Sequence, residues 1–287
     1  MKLSILLLTI AGMACSSDIT KSYKAPSLFL NHGGGPLPVL GEKHNKEIGD
    51  FLRNVSNHMD FDRTEAVIVV TAHREEDVVT ISSGERHGMV YDYSNFPAVS
   101  YEWKHKAPGA PKLARSVHAA FTRAGIPAAL DPVRGWDHGT FIPMMLADPA
   151  ARIPILQVSI LKSQNASQHF ELGRVLRQFR DQGVAVIGSG MSYHNMAEFR
   201  KAVIDSDGVI VNEEFDEYLT EVCTGDDLRR ILRWEEERGA KEAHLEGEAD
   251  HLMPLIVNIG AAGLATGRKV FHSVFIGKFK LSGFVWN

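Results

Sequence analysis

Short β-branched apolar runs alternate along this chain with longer stretches of helical periodicity, and that alternation limits the fold more than any other feature. Residues 27–31, 66–71, 153–160 and 184–187 are apolar runs bounded by Gly, Pro or polar residues, the pattern of buried strands. Helical periodicity falls at 111–124, 169–182, 212–222 and 226–239, and the tail KVFHSVFIGKFKLSGFVWN reads as one or two closing strands. Strands separated by helices predict an α/β fold, a central mostly parallel sheet flanked by helices. No internal repeat, low-complexity linker or composition break divides the chain, so a single domain over residues 21–287 is expected.

Histidines sit where these strands end. His32 follows the first strand in LFLNHGGGP, His73 follows EAVIVVTA, and His194 follows VAVIGSGMSY. Ligand sites in open α/β sheets form at the strand carboxyl ends, so a cleft there is expected to gather all three. His138 in RGWDHGTF begins a helix, and His251 in EADHLMPL opens the last helical segment. Five histidines at element ends beside Gly, Asp or Asn predict a shared metal or catalytic cluster. His87, His105, His118, His169 and His272 lack any partner pattern and read as surface or core residues.

Composition removes other classes. The 287 residues are 44% hydrophobic and 23% charged, enough for a substantial core and unlike a disordered chain. A formal charge of -4 without clustered Lys/Arg argues against a nucleic-acid partner. Two cysteines, Cys15 and Cys223, supply neither a disulfide framework nor a cysteine zinc site. The leader MKLSILLLTIAGMACSS carries one early lysine and an apolar run too short to span a bilayer, which predicts a secretory signal over residues 1–20 and export. Lipidation of Cys15 is an alternative use of the same leader, although Gly12 stands where such signals carry a larger aliphatic residue. An uncleaved leader on a cytoplasmic protein is the third reading.

Two common motif readings fail. HGGG is also an esterase oxyanion-hole motif, but Gly188-Ser189-Gly190 does not make the G-x-S-x-G elbow that must accompany it. VAVIGSGMSYHN approximates a dinucleotide fingerprint but has Tyr193 at the third glycine position. H-E-x-x-H does not occur.

The ordered motifs LFLNHGGGP, VVTAHRE, YDYSNFP, YEWKHKAPGAP, RGWDHGTFIPM, IPILQVSI, VIGSGMSYHN and DHLMPLIVNIGAAG extend from about Ala25 to the carboxyl terminus. In them the chain resembles the class III extradiol ring-cleavage dioxygenases, in the DOPA-dioxygenase-like branch. The resemblance implies a mononuclear metal, Fe(II) with Zn(II) as the alternative, held by His32, His73 and His251. It implies His194 beside the metal as acid/base and His138 in the substrate pocket. The implied reaction opens the ring of a catechol, DOPA or a related phenolic, with O2 to a muconic semialdehyde. A zinc-binding hydrolase or non-catalytic binding protein is the alternative. Neutral imidazoles suit iron and zinc alike, and three protein ligands leave positions for small molecules.

Departures from the family pattern leave choices open. The segment AHLEGEADHLMP offers His244, Glu246, Glu248 and Asp250 as other third ligands, Asp250 restoring a two-His-one-carboxylate set. Gly33 and Gly34, with Gly35, would turn the backbone beneath the metal and leave room for substrate. Tyr91, Tyr93 and Phe96 in YDYSNFP are candidates to stack on its ring. Arg74, Glu75 and Glu76 predict a polar lip.

Overall fold

Eight strands form one sheet whose centre is made by the runs that carry the histidines. The computed structural model describes residues 23–205, 207–263 and 265–287. The expected leader, Cys15 included, lies outside them. The strands are β1 (Ser27–Asn31), β2 (Ala66–Glu76), β3 (Val79–Ser82), β4 (Ala128–Asp131), β5 (Ile155–Leu161), β6 (Val184–Gly190), β7 (Arg268–Phe275) and β8 (Phe279–Trp286). Their order is β4-β3-β5-β2-β6-β1-β8-β7. β5, β2, β6 and β1 run parallel to one another, β3 pairs antiparallel with β5 and parallel with β4, β8 pairs antiparallel with β1, and β7 closes the edge as a hairpin with β8. This is a single α/β domain with a mostly parallel sheet. β1 and β6 are buried along their whole length, as parallel strands covered on both faces must be.

Helices cover the faces: α1 (Leu37–Leu40), α2 (Lys46–Arg53), α3 (Pro111–Arg123), α4 (His138–Ala147), α5 (Ala166–Arg180), α6 (Met196–Ile204), α7 (Glu213–Thr224), α8 (Ala240–Ala243) and α9 (Met253–Ala262). α9 is buried throughout and lies against α5, β6 and β1, so it is apolar on every side rather than along one stripe. Among the described residues no helix is long and apolar enough to cross a membrane.

Three expectations are corrected. β2 does not end at Thr71 but continues to Glu76 through a register break between Thr71 and Glu75 in its pairing with β5, so His73 lies inside the irregularity rather than beyond the strand. Such breaks re-aim side chains at the rims of sites. The helix expected over 226–239 is instead a 3-10 segment, Leu228–Glu236, with non-helical backbone at Arg233. Its buried residues Leu228, Ile231 and Trp234 recur every third position, the period of a 3-10 turn. Arg74 does not form a polar lip: it is buried and pairs with Asp131 at 2.6 Å and Glu76 at 3.3 Å.

Candidate metal centre and substrate cleft

The parallel register of β1, β2 and β6 brings their carboxyl ends side by side, and the loops leaving them build the site. His32 directly follows β1, and its N–H donates to the Gly190 carbonyl at the end of β6. His251 arrives from the turn before α9, where its carbonyl accepts from Met191 N–H at 3.1 Å. That approach needs Gly190: a Cβ there would stand 2.1 Å from the His251 carbonyl oxygen. The turn after His32 depends on Gly33 (φ +79°) and Gly35 (φ +54°), conformations that side-chain-bearing residues rarely adopt.

Ligating atoms of His32, His73 and His251 lie within 4.8 Å of one another. Two further groups overlap this triad: His73 with Asp92 and His138, and His194 with Asp250 and His251. The His194 ring stacks on His251 with centroids 3.4 Å apart. Of the alternative third ligands, Asp250 reaches His251 and His194 but is not grouped with His32 and His73. His244 lies elsewhere: its Nε2 donates to the Ser192 carbonyl and its ring packs against Phe215 and Trp234. Glu246 and Glu248 fall in no ligand group among the described residues.

The protonation of His32 follows from a proline. Pro143 lies inside α4 and has no N–H, so the Gly139 carbonyl one turn earlier lacks its helical partner. Ser189 on β6 donates its hydroxyl to that carbonyl. The serine's one proton is thereby used, and its oxygen must accept from His32 Nδ1–H, 3.0 Å away. His32 Nε2 is left as a lone pair, 3.0 Å from Nε2 of His73. His73 Nδ1 in turn lies 3.6 Å from Asp92 Oδ2. His251 Nδ1 is buried and lies 3.0 Å from Asp250 Oδ2. An imidazole lone pair fixed by its neighbours, and a second imidazole whose Nδ1 faces a carboxylate, fit a cation held by nitrogen donors.

Burial lowers the imidazoles of His32, His73, His194 and His251. His32 and His251 are held well below the ordinary value of 6.5, first by burial and then by the neighbouring histidines. His73 falls to about 3, with burial and His138 outweighing the opposing pull of Asp92 and Asp250. His194 falls to about 4, again chiefly by burial. All four are therefore neutral at pH 7, the form a metal or a substrate proton requires. Asp137, buried beside the cluster, is pushed up to about 6 by burial, although the Thr71 hydroxyl donates to its Oδ1 at 2.7 Å.

A cleft of about 370 Å³ opens above these imidazoles. Gly33, Gly34, Tyr93, Phe96 and His138, all expected there, line it. Tyr91 does not; its hydroxyl donates to the Trp103 carbonyl. The five histidines read as surface or core stay out of the ligand groups, His169 as a buried core residue and His272 exposed. Sequence reasoning missed Asp92, whose Oδ1 accepts from both the backbone N–H and Nδ1–H of His138 at 3.0 and 2.9 Å. It also missed Ser189 and the cleft wall of Met191, Met196, Phe199, Phe275 and Ile276. Pro143 in HGTFIPM was the available signal for Ser189; nothing local marks the wall.

Residues 27–280 match the family described as the catalytic LigB subunit of aromatic ring-opening dioxygenase. The chain belongs to this family. It is a metal-dependent aromatic ring-opening dioxygenase, and its substrates are a small aromatic molecule and O2. A dioxygenase of Hapsidospora irregularis, tasH, is 37% identical over 259 residues, covering 85% of this chain and 80% of that one. The 4,5-DOPA dioxygenase extradiol of Beta vulgaris is 30% identical over 254 residues, covering 88% and 92%. The crystal structure of an uncharacterized protein from Escherichia coli K12 superposes with a TM-score of 0.71 at 26% identity, covering 92% of the dioxygenase and all of its own chain.

Proposed function

We propose that the dioxygenase holds Fe(II) through His32, His73 and His251 and opens a catechol ring next to the diol, giving a muconic semialdehyde. The carrying observation is the convergence of three neutral imidazoles, two buried and His73 half-buried, one with its tautomer fixed by Ser189, at the floor of a cleft. When bound, ferrous iron supplies a Lewis-acidic centre that gathers the diol and dioxygen in one place.

The protein's part is proton handling and orientation. His194, neutral and stacked on His251, takes a proton from a catechol hydroxyl and later returns one to the oxygenated product. Asp92 fixes His138 through two hydrogen bonds to one carboxylate oxygen, so Nε2 is the nitrogen that meets a substrate oxygen. The carboxylate survives there because the hydrogen bond and charge of His138 outweigh the burial that would raise it, holding Asp92 below the usual carboxylate range. Tyr93 and Phe96, edge-on to one another at 5.6 Å, offer faces to the ring. Zinc would suit the same donors, and metal identity separates the two. Protein purified without oxygen and reconstituted with iron should consume O2 on addition of catechol, and zinc-loaded protein should not; the reverse order overturns the assignment. His32→Ala and His73→Ala should each abolish stoichiometric metal binding, and full occupancy in either variant would contradict the ligand set.

A further inference from the structure

The cleft wall is apolar to a degree that bears on the substrate. Beyond the histidines, none of its lining residues carries a carboxylate, ammonium or guanidinium among the described residues. Tyr93 has its hydroxyl spent on the Ser100 carbonyl at 2.6 Å, which leaves Ser94 as the remaining side-chain hydroxyl. Charged groups nearby do not line the cleft: Asp92 is held by His138, Asp250 stands 3.0 Å from His251 Nδ1, and Arg134 reaches the His73 carbonyl. Arg74 is buried against Asp131 and Glu76, Lys201 pairs with Glu198 at 2.6 Å, and Lys278 pairs with Asp207 at 3.0 Å.

Ile276 adds a second observation. It lies in the turn joining β7 to β8, where Lys278 N–H donates to the Phe275 carbonyl. Ile276 has φ +52° and Gly277 φ +70°, the pair of positive values that a type I′ turn requires. Asn or Gly is favoured at the first of these positions, and a β-branched residue is strained there. Yet Ile276 is 5% exposed and lines the cleft. Strain kept at a ligand-facing position points to a side chain retained for what it contacts.

Resting on the catechol-opening reading above, we infer that the substrate is a catechol with an uncharged, apolar substituent rather than an amino-acid catechol. Met196, Phe199, Phe275 and Ile276 form the wall that selects it. A carboxylate or ammonium placed against this wall loses water without gaining a partner, whereas an alkyl or aryl group gains by burial.

The test uses the iron-loaded full chain and four catechols: methylcatechol, propylcatechol, dihydroxyphenylpropionate and DOPA. Oxygen uptake should give a kcat/KM for propylcatechol about fifteenfold above methylcatechol, at about fourfold per buried methylene. Dihydroxyphenylpropionate and DOPA should fall at least about tenfold below propylcatechol. DOPA matching or exceeding propylcatechol overturns the inference and leaves the ring-opening reading standing. Calorimetry of the same catechols under anaerobic conditions separates the converse. If none is opened but propylcatechol binds best, the reaction is wrong and the substrate class holds; if none is opened and the charged catechols bind equally well, both fall. Ile276→Asn should raise KM for propylcatechol about tenfold, leave KM for DOPA unchanged and not lower the melting temperature. A lower melting temperature with KM unchanged for both would make Ile276 structural only. Met196→Arg, at a position 41% exposed, should raise the relative rate on dihydroxyphenylpropionate; an unchanged ratio would show that the substituent does not reach this wall.

Discussion

Replacing Ser189 by Ala removes one oxygen and breaks two links at once. The Gly139 carbonyl, already denied a helical donor by Pro143, loses the hydroxyl that serves it, and His32 Nδ1–H loses its acceptor. Ser189 and Gly139 are both buried, so water does not replace either bond. An unsatisfied buried polar group costs about 1–3 kcal/mol. His32 can escape part of that by moving its proton to Nε2, toward His73 at 3.0 Å. The metal-free protein should therefore lose about 2 kcal/mol, mostly from the carbonyl. The moved proton must be moved back before a cation can bind, and loss of such an orienting partner typically costs about 10–100-fold in metal affinity. Urea unfolding of metal-free protein and competition against a chromophoric chelator measure the two effects separately. Adding Pro143→Ala supplies the missing N–H to the Gly139 carbonyl. The double variant should recover stability relative to Ser189→Ala but not metal affinity. Unchanged affinity in Ser189→Ala, or affinity restored together with stability in the double variant, would refute the link between Pro143, Ser189 and the His32 tautomer.

His194→Ala should keep one equivalent of metal and lose about a hundredfold to ten-thousandfold in turnover at saturating catechol; loss of the metal would make His194 a ligand instead. His169 accepts from Leu161 N–H and donates to the Asn165 carbonyl, and burial lowers it to about 4. Because the unfolded chain binds a proton below pH 6.5 that the folded chain refuses until about pH 4, stability should fall across that window by up to about 3 kcal/mol and level off below it. His169→Gln, which can still accept from Leu161, should show a shallower loss between pH 7 and pH 4.5 by urea unfolding, and an equal loss in both proteins would contradict this. If the leader is a secretory signal, native protein should begin at or after Cys15 by mass spectrometry, and an intact Met1 would count against export.

The central strands were legible because parallel pairing buries them on both faces, leaving continuous apolar runs in residues 27–31, 66–71 and 184–187. The short strands β3 and β4 were not: each has four residues, and Val79–Ser82 and Ala128–Asp131 are too short to show a period. Helix α2 was missed for a similar reason, as its eight residues are interrupted by Gly49 and hold only Ile48, Gly49 and Leu52 buried. His32, His73, His138 and His194 were visible because each stands at or near the end of an apolar run or the start of a helix. The partners that set their chemistry were less so. Asp92 sits in an irregular loop between tyrosines, and Ser189 looks like any small strand residue until Pro143 is placed beneath it. Ile276 and Phe275 reach the cleft from the far end of the chain, and only the pairing of β8 with β1 brings them there.

The central claim is that this protein inserts dioxygen into an aromatic ring at the metal-binding histidine cluster. Mass spectrometry of the product from iron-loaded protein supplied with propylcatechol and isotopically heavy O2 tests it directly. The product should be a ring-opened semialdehyde formed with one O2 consumed per catechol and with both oxygen atoms gained, analysed before the aldehyde oxygen exchanges with water. A product that has lost two hydrogens and gained no oxygen, with hydrogen peroxide released, would mean oxidation to a quinone and would contradict it.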